Sequence, residues 1–163
     1  MNLADDTTAI VAEAGRPAPI SMDALPRNLW SKEVKVRFGY CDPAGIVFTP
    51  RFFDIFNAVV EDWFCEGLGI DYHDIIRSRR MGLGYVSAES TFFRPCCMGE
   101  RITVHVRLAA LGRSSLTLHL HAMKDGAEAL RGKFTIVMTD LEQHRPVVIP
   151  EDIRRALGVY GIG

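Results

Sequence analysis

Cysteine is scarce in this chain: four residues in 163, Cys41, Cys65, Cys96 and Cys97, with neither CxxC pairs nor even spacing. That pattern excludes a zinc ribbon and a secreted disulfide framework, and the four read as reduced thiols. Charge of one sign is also lacking. The formal net charge is −1, so nothing draws the chain to nucleic acid or an anionic membrane in general, and an anionic ligand has to meet a local basic cluster. No apolar run is long enough to span a bilayer. The N-terminus carries Asp5 and Asp6 where a signal peptide would carry basic residues before an apolar run, so the cytoplasm is the expected compartment. No GxSxG marks a serine nucleophile. Gly82-Leu83-Gly84 lacks the third glycine of a dinucleotide fingerprint and enters a strand. His119 and His121 alternate with leucines but have no third ligand nearby in sequence; a polar or partner-facing sheet surface is expected there, and no metal.

What is present is an ordinary globular composition, 48% hydrophobic and 24% charged. A single domain of this length can bury roughly two-thirds of its unfolded surface and needs no disulfide staples. Residues 1–30 mix small, acidic and proline residues without a sustained period, which suggests a tail or an arm lying on a partner. The domain proper is expected over 31–163. Val34, Val36 and Phe38 alternate with Glu33, Lys35 and Arg37, a strand with one buried face.

Next comes the densest stretch of the chain, Tyr40-Cys41-Asp42-Pro43-Ala44-Gly45-Ile46-Val47-Phe48-Thr49-Pro50, a single acid in an otherwise apolar proline and glycine turn. Such an acid is expected either to cap the turn or to do chemistry. Thr49 followed by Pro50 signals a helix start, with Thr as cap and Pro in the first turn. Phe52, Ile55, Phe56, Val59 and Trp63 recur at helical spacing, and Phe53, Val60 and Phe64 widen the stripe, so the helix is expected to be wrapped on most sides and to end near Gly67 and Gly69. Tyr72 to Arg80 predicts a short helix with a basic end. Leu83–Phe93, Arg101–Leu111, Ser115–Met123 and Glu128–Thr139 alternate as strands, with turns at Pro95–Glu100, Gly112–Ser114 and Lys124-Asp125-Gly126.

One strand, one apolar helix and four antiparallel strands make an α+β plan in which the sheet curls around the helix. The Asp42 stretch, Arg94-Pro95 with Gly99-Glu100, and Ile149-Pro150-Glu151 resemble the 4-hydroxybenzoyl-CoA thioesterase family of hot-dog folds, the likeness running from about Lys32 to Asp140. The resemblance implies a curled five-stranded antiparallel sheet around a central long helix, and hydrolysis of an aryl or short acyl thioester of CoA. It implies Asp42 as nucleophile or general base and the Thr49 backbone N–H as the donor to the thioester carbonyl. Glu61, which shares a helix face with Asn57, is a second candidate acid, because some hot-dog thioesterases work with a helix glutamate. Cys41, beside Asp42, has no histidine base near it in sequence and reads as a packed thiol.

Gly45, free of a Cβ, would let the loop approach a substrate, and Phe48 would line the acyl pocket. For the CoA phosphates two basic clusters qualify: Arg113-Ser114-Ser115, which coincides with a CoA-contacting turn in similar thioesterases, and Arg77, Arg79 and Arg80. CoA arrives as part of the substrate, so no separate cofactor is expected. Edge-to-edge pairing in the family implies at least a homodimer, with a homotetramer as the fuller assembly. Two alternatives stay open: a hot-dog acyl-CoA hydratase or dehydratase, which needs an acid paired with a histidine, and a non-catalytic acyl-CoA-binding subunit.

Overall fold

The computed structural model describes residues 17–162. Strand β1 (Ser31–Lys35) leads through a short 3-10 turn (Phe38–Tyr40) and the Asp42 loop into helix α1 (Arg51–Asp62), which closes in a π-helical turn (Trp63–Gly67). Helix α2 (Tyr72–Arg77) precedes the long strands β2 (Met81–Phe92), β3 (Arg101–Leu111), β4 (Ser115–Lys124) and β5 (Ala127–Asp140). A two-residue strand β6 (Arg145–Pro146) and helix α3 (Glu151–Tyr160) end the fold. The strands order as β1-β3-β4-β5-β2, antiparallel throughout, with β6 attached to β5. This is the expected curled five-stranded sheet with its helix, extended by β6.

Alternation sets which face is buried. Ile102, Val104, Val106 and Leu108 of β3, and Leu116, Leu118 and Leu120 of β4, all face the core, because side chains two apart share one side of a strand. Against them α1 buries Phe52, Ile55, Phe56, Val59 and Val60, with Trp63 and Phe64 continuing the stripe. The Phe56 ring meets Phe134 edge-on at 5.6 Å, a geometry worth about 1 kcal/mol beyond burial. Gly132 permits this approach: a Cβ there would sit 2.9 Å from Phe56 Cε2.

Four expectations need correction. Thr49 does not cap α1 with its side chain; Pro50 is the N-cap residue, already helical, and the first-turn amides of Arg51, Phe52 and Phe53 bond back to the carbonyls of Phe48, Thr49 and Pro50. Helix α1 is not wrapped on most sides either. Phe53 and Asn57 are exposed and leave one flank bare, with the Phe53 ring 6.0 Å from that of Phe134 in β5. The arm lies on the chain itself: residues 18–22 run along the β4–β5 hairpin, with Ser21 bridged to Ala127 and the Met22 amide on the Gly126 carbonyl. The portion of that expectation covering residues 1–16 lies outside the described residues. Finally, His121 is not on an open face. It is buried beneath the arm, its Nδ1 2.7 Å from Glu128 Oε1.

Candidate active site

Asp42 opens a tight turn that its own sequence builds. Pro43 suits the second position of a β-turn, and the turn closes with the Gly45 amide donating to the Asp42 carbonyl at 2.9 Å. Gly45 then takes φ +78°, a left-handed conformation that glycine adopts without a Cβ clash. The result is a small hairpin: Cys41 bridges Val47, and the Asp42 amide donates to the Ile46 carbonyl at 3.0 Å. The Asp42 side chain, half-buried, accepts from the Ala44 amide through Oδ1 at 2.8 Å. Its Oδ2 has no partner among the described residues. One oxygen thus caps the turn and orients the carboxylate, while the other remains available.

Thr49 follows where the hairpin hands over to α1. Its neighbours are engaged, Phe48 N–H with the Tyr40 carbonyl at 2.9 Å and Arg51 N–H with the Phe48 carbonyl at 2.8 Å. The Thr49 N–H has no acceptor among the described residues, and it sits at the positive end of the helix dipole. Phe48 is 51% exposed beside it. Phe38 and Met98 are also largely exposed, and the Met98 amide donates to the Gly45 carbonyl at 3.0 Å. One short hairpin therefore carries an unpaired carboxylate oxygen at Asp42 and leads into an unpaired amide at Thr49, neither with a partner among the described residues, with exposed apolar side chains at Phe48 in the same segment and at Met98 bonded to Gly45. Cys41 belongs to it without being reactive: its Sγ lies 3.6 Å from the Arg37 carbonyl, and loss of solvent together with the Asp42 charge raises its pKa.

The other expected residues stand elsewhere in the single chain. Glu61 lies ten residues after the first residue of α1, about 15 Å along it at 1.5 Å per residue. It faces α2, with its Oε1 3.1 Å from His73 Nε2. Arg113, Ser114 and Ser115 form the β3–β4 turn at the opposite end of the sheet, roughly 30 Å along β3 at ~3.3 Å per residue. There the Gly112 and Arg113 carbonyls accept from Arg154 of α3 at 2.7 and 2.9 Å. In the second basic cluster Arg79 is engaged by Asp74 and Asp152 at 3.0 and 2.6 Å, which leaves Arg77 and Arg80 as its exposed members. A groove of about 220 Å³ between β1 and α1 ends at Tyr40, two residues before Asp42, with Lys35 and Arg37 among its lining residues; neither Asp42 nor Thr49 lines it. A larger cavity, about 480 Å³, lies at the far end against α3 and includes no residue of the Asp42 turn.

Residues 36–157 match the thioesterase-like superfamily. The chain belongs to that superfamily. Its relatives include a 1,4-dihydroxy-2-naphthoyl-CoA hydrolase of Prochlorococcus marinus subsp. pastoris, 23% identical over 137 residues, which cover 80% of this chain and 89% of the relative. Among solved structures, a protein of unassigned function from Thermus thermophilus is 29% identical with a TM-score of 0.73, over 80% of this chain and 98% of that one. A gentisyl-coenzyme A thioesterase shares the fold at 24% identity and a TM-score of 0.71, over 78% of this chain and 98% of its own. The thioesterase kinship expected from the resemblance therefore holds at the level of this superfamily.

For a thioesterase-like chain, sequence reasoning missed the loop that holds the Asp42 hairpin in place. Residues 95–100, expected as a turn and as part of the family likeness but given no place at the site, run beside it: Val47 N–H donates to the Cys96 carbonyl, Ile46 bridges Cys97, and Gly99 N–H donates to the Val36 carbonyl. Lys35 and Arg37 were also passed over as cations, since alternation marked them only as the solvent face of β1.

Proposed function

We propose that this protein is an acyl-CoA thioesterase acting on an aromatic acyl group, with Asp42 as nucleophile or general base and the Thr49 N–H as the carbonyl donor. The observation that carries the reading is that one hairpin presents an oriented carboxylate oxygen and leads directly into a helix-start amide, neither engaged by the described residues. Hydrolysis of a thioester needs both: an oxygen base or nucleophile at the carbonyl carbon, and a donor for the charge that develops on the carbonyl oxygen. A donor of this type is worth about 3 kcal/mol at the transition state. The relatives named as 1,4-dihydroxy-2-naphthoyl-CoA hydrolases support an aromatic acyl group. Phe48, with Phe38 and Met98, offers the apolar surface to receive it.

In a single chain this site is an open surface, and a second copy completes it. Strand β2 is the terminal strand of the sheet. Tyr85 and Val86 are exposed along it, next to the bare flank of α1 at Phe53. A homodimer through this edge covers that surface, because a terminal strand exposed at Tyr85 and Val86 is a template for pairing. In the dimer the partner's β3–β4 turn supplies Arg113, Ser114 and Ser115 to CoA phosphates, with Gly45 leaving room for the pantetheine arm.

The test is release of CoA thiol from 1,4-dihydroxy-2-naphthoyl-CoA, gentisyl-CoA, 4-hydroxybenzoyl-CoA and acetyl-CoA by the wild type and Asp42→Asn. Faster turnover of the aromatic thioesters, with a loss of about 10²-fold or more in the variant, supports the reading. Turnover by none of the four overturns it.

A further inference from the structure

We infer that Lys124, a residue of β4 that touches no part of the Asp42 turn, is a positioning residue of the thioesterase site, acting through Glu100 and the loop 95–100. The inference rests on the reading of Asp42 and Thr49 given above. Its basis is a chain of contacts that begins with a buried lysine. Lys124 is 8% exposed, and lysine is almost never buried without a partner. Its ammonium donates to the Pro95 carbonyl at 2.8 Å and to Glu100 Oε1 and Oε2 at 3.1 and 2.9 Å. It therefore grips both the first and the last residue of the loop. Its own carbonyl accepts from Arg94 Nη1 at 3.1 Å, a further tie to the residue just before the loop.

Glu100 passes this hold inward. Its Oε2 accepts from the Cys97 amide at 2.7 Å. Burial on its own would raise its pKa, but the Cys97 amide and Lys124 more than reverse that and keep the carboxyl below the usual range. Between the two ends, the loop makes its contacts with the catalytic hairpin. Cys96 accepts from Val47, Cys97 bridges Ile46, Met98 donates to Gly45, and Gly99 donates to Val36. Their partners Val36, Gly45, Ile46 and Val47 sit three to six residues from Asp42. The loop has no regular ladder of its own, so the ion pair at its base fixes where these groups point. If that pair is lost, the Cys97 amide keeps a partner only while Glu100 stays folded back without its cation, and the Glu100 side chain, 34% exposed, is then free to swing out to water. Asp42 and the Thr49 amide would then lose their common frame.

The test compares Lys124→Met, Lys124→Arg and Glu100→Gln on the full chain. Hydrogen exchange is followed in peptides covering 36–50, and kcat and KM are measured on whichever of the four thioesters the wild type hydrolyses fastest. In Lys124→Met, exchange in 36–50 should rise about tenfold while β3 and β4 stay protected. The kcat should fall about 10- to 100-fold with KM within twofold, since displacing reacting groups by an ångström costs that much. Lys124→Arg should recover most of both, and Glu100→Gln should fall between. Unchanged exchange in 36–50, a wild-type kcat in Lys124→Met, or an equal loss in Lys124→Arg overturns the inference. If Lys124→Met does not fold, Glu100→Gln decides by the same two measures. The activity reading fails separately, on the wild type and Asp42→Asn, while the exchange measurement still judges Lys124.

Discussion

Two acids, Asp42 and Glu128, show what separates a site from a staple in this molecule. Glu128 is fully buried and both its oxygens are saturated. Oε1 accepts from His121 Nδ1 at 2.7 Å and Arg131 Nε at 2.8 Å, while Oε2 accepts from the Ile20 amide at 3.1 Å and from Arg131 Nη2. Burial pushes its pKa up, and these donors from His121, Arg131 and Ile20 more than reverse the push. Asp42 is half-buried, and among the described residues only one of its oxygens is engaged. A carboxylate with every lone pair taken can only hold structure, and here it fastens residues 18–20 to the sheet. A carboxylate oriented by one oxygen and open at the other can act on something that arrives.

Removing each acid should therefore break a different property. The larger effect is at Glu128: Glu128→Ala leaves Arg131 and His121 without their anion beneath the arm, and a loss of about 3 kcal/mol is expected in urea unfolding. Turnover per folded molecule should remain within twofold of the wild type. A loss below about 1 kcal/mol would mean that the network contributes nothing beyond a surface pair. Asp42→Asn should do the reverse, losing about 10²-fold in turnover, equivalent to about 2.7 kcal/mol at the barrier, with an unfolding midpoint close to the wild type because an asparagine oxygen still caps Ala44.

The two acids also differ in how readable they are. Asp42 was legible because everything that shapes it is local: Pro43 and Gly45 set the turn, Ala44 takes the cap, and the helix follows within nine residues. The strands were legible for the same reason, since a period of two is a property of neighbours. Glu128 was not. Its partner Ile20 is 108 residues away, and a register shift between Ala122 and Met123 sets Glu128 opposite Met123, where no alternation rule puts it. Lys124 and Glu100 escaped in the same manner, 24 residues apart. In each case the sequence showed a charged residue beside a turn, which ordinarily means solvent. The π-helical turn at Trp63–Gly67 and the placement of Glu61 beside His73 depend likewise on how α1 and α2 meet.

The pH dependence of stability sharpens the contrast on the arm side. His105 and His119 have pKa values lowered by burial first and by the charge of His121 second, with Arg107, Lys133 and Arg131 adding to the effect at His119. A lowered folded pKa means that the unfolded chain binds more protons just below the ordinary histidine value of 6.5. Stability should be full above that pH and decline as the pH falls through the folded values. Glu128 extends the decline to lower pH, its contribution being complete above its ordinary 4.5 and lost as the carboxyl protonates. Urea titrations between pH 8 and pH 4 measure the slope, and His119→Gln should flatten its upper part. A slope unaltered in that variant would remove the histidines from the account.

The smallest effect is expected at Glu61, the second candidate acid, and it decides whether an available oxygen suffices to make a site. Glu61 is a third kind of carboxylate: partly exposed, fixed by one imidazole, and distant from the unpaired amide at Thr49. Its pairing with His73 is the acid and histidine combination that a hydratase would need, so its removal tests the two chemistries against each other. Exposed pairs contribute about 0–1 kcal/mol, and Glu61→Gln should shift the unfolding midpoint by no more than that. If hydrolysis requires a carboxylate and a carbonyl donor at the same turn, thiol release by Glu61→Gln should stay within about threefold of the wild type. A loss matching that of Asp42→Asn would place Glu61, brought in by the partner subunit, among the reacting groups, and orientation by the local turn would no longer distinguish Asp42.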